Sequence, residues 1–94
     1  MQLLLIVEDC FDLWRSKLGL AVMPEVPMEA IPELKPLESI VLPVMLKFSD
    51  GTNRKVAATF RFPHFNPVGF KKVCHFEDLK KDDLPIGTEI WLIE

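Results

Sequence analysis

Apolar residues in this chain come in short runs cut apart by proline and glycine. The runs are Leu3–Val7, Leu18–Val26, Ile40–Phe48, Val56–Phe62, Val68–Phe76 and Thr88–Ile93, and most of the eight prolines and four glycines fall between them. No segment longer than about a dozen residues keeps the spacing of an amphipathic helix. A chain punctuated in this way cannot build a helix bundle. Six short strands separated by turn signals predict an all-β sandwich or barrel with little helix. At 94 residues, 49% hydrophobic and 27% charged, the chain has the make-up of a folded protein with a single core, one domain spanning 1–94.

The central hairpin can be read to the level of register. In Ile40–Phe48 the even positions Leu42, Val44, Leu46 and Phe48 are apolar, and in the next strand so are Val56, Ala58, Phe60 and Phe62. A two-residue Asp50-Gly51 turn pairs even positions with odd ones and puts the apolar faces on opposite sides. A three-residue Ser49-Asp50-Gly51 loop with Gly51 at positive φ pairs even with even, and parity selects it. Pro43 falls on the outward face and lacks an N–H, which suits an edge or a bulge. The segment between Val26 and Ile40 carries Pro27, Pro32 and Pro36, which predicts an extended connection and not a helix. Its Met28, Ile31 and Leu34 are spaced to touch the wall of the sheet.

The two ends of the chain carry a resemblance. "LKKDDLPIGTEIWL", from Leu79 to Leu92, sets a solvated turn (Lys80, Lys81, Asp82, Asp83) between Leu79 and Leu84, followed by Pro85, Gly87 and a terminal strand. "LLLIVEDCFDL", from Leu3 to Leu13, places Glu8, Asp9, Phe11 and Leu13 behind an apolar strand, and Gly19 then precedes Leu20-Ala21-Val22. Together these segments resemble the closing and opening signatures of the second domain of elongation factor Tu and other translational GTPases. The resemblance implies a small closed six-stranded antiparallel β-barrel of the translation-factor type. The first and last strands would lie side by side and leave no edge for another chain to join. It does not carry aminoacyl-tRNA binding with it: the stretch comparable to the family's acid-bearing fourth strand is Phe60-Arg61-Phe62-Pro63, without an acid. The turn after the first strand is expanded to Trp14-Arg15-Ser16-Lys17-Leu18-Gly19, and the family's long loop shrinks to His64-Phe65-Asn66-Pro67. No G-x-x-x-x-G-K-[ST] nucleotide loop is present.

Charge and side-chain chemistry narrow the functional classes. The net charge is −3, yet residues 54–75 hold Arg54, Lys55, Arg61, Lys71 and Lys72 and no acid. With Phe65 and Phe70 as exposed rings, these cations would make a stacking and phosphate-contact surface for single-stranded RNA. The plainer expectation is that Phe60 and Phe62 fill the core and the cations solvate the outer face, and the acidic balance of the chain favours it. Cys10, Cys74, His64 and His75 lack metal-ligand spacing, and the neighbours Cys74 and His75 point to opposite faces of a strand, so neither a metal nor a cofactor is expected. Ser16, Ser39 and Ser49 stand in loops without a nucleophile context, and Glu8-Asp9 and Asp82-Asp83 are turn pairs, which predicts no enzyme.

Trp91 and Ile93 fall on the outward face of the last strand. Either the proline-rich connection covers them through Met28, Ile31 or Leu34, or they form with Trp14 a patch for a protein partner or a second copy of the chain. The N-terminal run of five apolar residues has no basic flank and meets acids at once, so neither a signal peptide nor a membrane span is expected. With two cysteines too few for a disulfide framework, the expected setting is cytoplasmic. The sequence thus points to a non-enzymatic binding module, with an RNA- or ribosome-associated accessory protein as the rival.

Overall fold

A computed structural model describes residues 1–13 and 19–93. Among the described residues there are nine strands: β1 (Gln2–Ile6), β2 (Asp9–Asp12), β3 (Leu20–Met23), β4 (Ser39–Lys47), β5 (Asn53–Arg61), β6 (His64–Phe65), β7 (Gly69–Phe70), β8 (Val73–Phe76) and β9 (Glu89–Leu92). Among the described residues there is no α-helix; a single 3₁₀ turn, Lys81–Asp83, holds the solvated charges. Among the described residues no helix is long and apolar enough to cross a membrane.

Seven strands form one antiparallel sheet in the order β1-β9-β4-β5-β8-β3-β2, and β6 and β7 make a separate small hairpin. The sheet curls into a half-barrel, which corrects the expected closed six-stranded barrel. The first strand does lie beside the last, with Gln2 opposite Leu92 and Ile6 opposite Glu89. However, β1 and β2 are successive parts of one run that bends at Val7 and Glu8. The two edges of the sheet are therefore joined along the chain, not zipped by a ladder. The turn leading into β9 braces the bend: Val7 N–H donates to the Thr88 carbonyl at 2.9 Å, and Gly87 N–H to the Val7 carbonyl at 2.8 Å.

The β4–β5 register is the one that parity selects, with Val44 opposite Val56 and Leu42 opposite Ala58. Phe48 N–H donates to the Thr52 carbonyl and Gly51 N–H to the Phe48 carbonyl, closing a three-residue loop with Gly51 at φ +89°. That conformation is readily open only to glycine. The Asp50 carboxylate accepts from both the N–H and the hydroxyl of Thr52, and these bonds hold its pKa below the usual value. Pro43 sits where the β9 ladder ends, and its carbonyl still accepts from Ile93 N–H.

Strand alternation sends Val44, Leu46, Ala58, Phe60 and Ile90 to the concave side, all with no exposed surface. Continuous burial of that row by apolar side chains is the main favourable term in such a fold. The proline-rich connection is non-helical, as expected, and tucks Val26, Ala30, Ile31 and Leu34 into the same core. Met28, expected to pack with them, is exposed. Leu79 and Leu84 are buried on either side of the charged turn.

Candidate functional site

The convex face of the sheet carries two aromatic regions. One is built by the outward row of β1, β9 and β4, where Leu3, Trp91 and Met45 stand side by side in register. Trp91 is half-buried, with the Lys47 ammonium 4.4 Å from its ring centroid and its Nε1–H donating to Glu89 Oε1 at 2.8 Å. Ile31 and Leu34 of the connection lie in the core. Ile93 lies at the end of β9 against Gln2 and Ile31, beside a separate shallow groove. Trp14, expected to share the patch, falls outside the described residues.

The other region is a cleft at the junction of β3, β8 and β5. Register puts Ala21 opposite His75 and Arg61 opposite Val73, so Ala21, Met23, Val73 and Arg61 all face outward here. The β6–β7 hairpin folds over this surface. Its base is tied by Lys71 N–H to the Pro63 carbonyl at 3.1 Å, and the Phe70 ring packs edge-on against both Phe62 (5.8 Å) and His64 (4.9 Å). Beneath it a space of about 370 Å³ is lined by Leu13, Ala21, Met23, Pro63, Phe65 and Val73, with Arg61 and His75 as its polar members. A second lobe of about 330 Å³ shares Met23, Phe65 and Val73 and runs out to Val68, Glu25 and Lys71. Met23, Phe65 and Val68 are exposed although all three are large and apolar.

The cations of residues 54–72 are not gathered into one patch. Arg54 lies near the hairpin end of β5, 3.9 Å from Asp83, and Lys55 beside it is exposed. Arg61 is seven residues further on, about 23 Å along an extended strand. Lys71 is paired with Glu25, and that hydrogen bond lowers the Glu25 pKa. Lys72 is only 4% exposed and donates to the carbonyls of Ala30 (2.6 Å) and Ile31 (3.0 Å), with Phe62 5.3 Å away. The ammonium anchors the connection and is withdrawn from the surface, so Lys72 cannot serve the RNA contact that the sequence suggested for it. What the fold brings together is Arg61, Phe65 and Lys71, with Phe70 holding the hairpin above them.

The remaining chemistry is quiet. Both cysteines are free and buried. Burial raises the Cys10 thiol pKa, reinforced by the neighbouring Asp9 carboxylate, and burial alone pushes Cys74 far up. Neither is an activated nucleophile. Among the described residues no three His, Cys, Asp or Glu side chains are grouped to hold a metal ion.

Sequence reasoning missed Met23, Val73, Pro63 and Leu13 as cleft residues. A signal was present. Leu20-Ala21-Val22-Met23 is apolar at every position, unlike the alternating β4 and β5, and such a run marks a strand covered on both faces. Comparison with family models, with curated proteins and with solved structures finds no match for this chain.

Proposed function

We propose that this protein is a non-enzymatic binding module that docks an extended apolar segment of a partner protein in the cleft under the β6–β7 hairpin. The observation that carries the reading is the composition of that cleft. It is concave, it is lined almost wholly by apolar side chains, and it has a few fixed polar groups at its margin, which is the make-up of a recognition pocket. Large apolar side chains exposed together lose free energy to water, and a partner that covers them recovers it. Burial raises the pKa of both thiols, and the Glu25 carboxylate at the cleft margin is paired with Lys71, which supports a binding reading over a catalytic one. The order of the terminal signatures supports placing the module near the second domains of translational GTPases. That kinship is a proposal about descent, and the half-barrel does not depend on it.

An array of 12-residue peptides, each with one Leu, Met, Phe or Trp in a Ser-Gly frame, tests the docking reading. The expected result is capture of some apolar peptides over the unsubstituted Ser-Gly peptide. Met23→Asp, on the exposed side of β3, is expected to abolish that capture while leaving the thermal melt in place. Equal signal from the blank peptide, or capture indifferent to Met23→Asp, overturns it.

A further inference from the structure

The distribution of charge around the cleft says more about its occupant. Arg54 has Asp83, Lys71 has Glu25, and Lys72 has two backbone carbonyls. Lys55 is exposed to water at the far end of β5. Arg61 differs from all of these. It is half-buried, it lines the larger lobe beside Phe65 and Val73, and among the described residues no carboxylate pairs with it. A guanidinium partly removed from water and set against apolar side chains is a poor resting arrangement but a ready fork for a carboxylate.

We infer, resting on the docking reading above, that the segment this cleft takes is acidic: an apolar side chain enters between Met23, Phe65 and Val73, and an Asp or Glu beside it pairs with Arg61. A side-chain carboxylate is favoured over a free chain terminus for a physical reason. Capture of a terminus relies on a nest of backbone N–H donors, whereas β3, β8 and β5 use theirs in the ladders that build this surface. The Glu25–Lys71 pair at the other lobe is internally neutral, so among the described cations lining the two lobes Arg61 is the one without an ion-pair partner.

The same peptide frame decides the matter when each apolar peptide is made in three versions, with Glu, Gln or Lys flanking the apolar residue. The expected order is Glu over Gln over Lys, with Glu about fivefold tighter than Gln and the gap narrowing with added salt. Arg61→Gln is expected to erase the Glu preference, with the Glu-to-Gln affinity ratio as the readout. Arg61→Lys, which keeps the charge but loses the fork, should retain part of it. Equal affinity for Glu and Gln versions in the wild-type protein overturns the acidic assignment while leaving the docking reading standing. Failure of every version to bind overturns both. Dodecanoate micelles binding more tightly than any peptide would replace the protein occupant with a lipid one.

Discussion

Trp91 and Phe65 are both large aromatic residues on the convex side of one sheet, and they sit in opposite circumstances. Around Trp91 the protein has already provided what a partner would: a cation over the ring, an acceptor for the indole N–H, and Leu3 and Met45 alongside. Around Phe65 it has provided walls but no contents. Met23 and Val68 remain exposed, and Arg61 meets no carboxylate among the described residues. An outward-facing aromatic ring is thus a weak pointer to an interface by itself. The stronger pointer is an apolar concavity whose polar margin is left incomplete.

The largest expected effect breaks the cleft from beneath. Gly19 leads into β3 at φ +76°, and its carbonyl accepts from Leu13 N–H at 2.7 Å. A Cβ there would stand 2.1 Å from the Phe76 carbonyl oxygen and 2.7 Å from the Glu77 Cα, both backbone atoms that cannot swing aside. Gly19→Ala therefore combines left-handed strain with overpacking and is expected to lower stability by about 3 kcal/mol or more. Hydrogen exchange should show the loss concentrated in β3 and β8, with β1 and β9 less affected. Uniform loss across the sheet would mean that the two faces are not separable units.

A smaller effect concerns the connection behind the cleft. Ile31 is held at φ +53°, a costly setting for a β-branched residue, and Lys72 donates to its carbonyl and to that of Ala30. Lys72→Met keeps the length of the side chain but leaves both carbonyls without that donor. The expected cost is about 2 kcal/mol, read as a lower urea midpoint at unchanged slope. Because Val26 N–H also bonds the Lys72 carbonyl, the connection should loosen next to Glu25 and Lys71 while the Trp91 region keeps its signals. A midpoint equal to wild type would show that removing a buried charge offsets the orphaned carbonyls, and Lys72 would then not be the anchor.

What the sequence made legible follows from how local each constraint is. The β4–β5 register was readable because side-chain period and loop length are both set within about twenty residues. The pairing of first and last strands was an expectation carried by the resemblance of the terminal segments, and no local signal in either segment fixes it. Closure was not legible. Whether a curled sheet zips to itself depends on where its first strand bends, and Val7-Glu8 gives no glycine or proline to announce a bend. Lys72 was misplaced for a similar reason. A lysine next to another lysine looks solvated, and only the distant Ala30 and Ile31 carbonyls make its burial tolerable. The cleft itself needs the β6–β7 hairpin to fold back over β3 and β8, a tertiary event that the His64–Pro67 stretch does not encode by periodicity.

The smallest expected effect tests the other side of the contrast. Lys47→Ala removes the ammonium from the Trp91 ring face, and a partly exposed cation–π contact is worth about 0.5–1 kcal/mol. The Trp91 indole N–H resonance, identified by its absence in Trp91→Phe, should shift, since the ring loses a neighbour while its bond to Glu89 remains. Peptide capture in the cleft should be unchanged: Lys47 lies on β4 toward the hairpin end, whereas Arg61 closes β5 at the opposite end. If Lys47→Ala instead weakened capture as strongly as Met23→Asp, the Trp91 region would itself be part of the docking surface. The distinction between an aromatic satisfied by its own chain and one awaiting a partner would then fail at the residue where it is most visible.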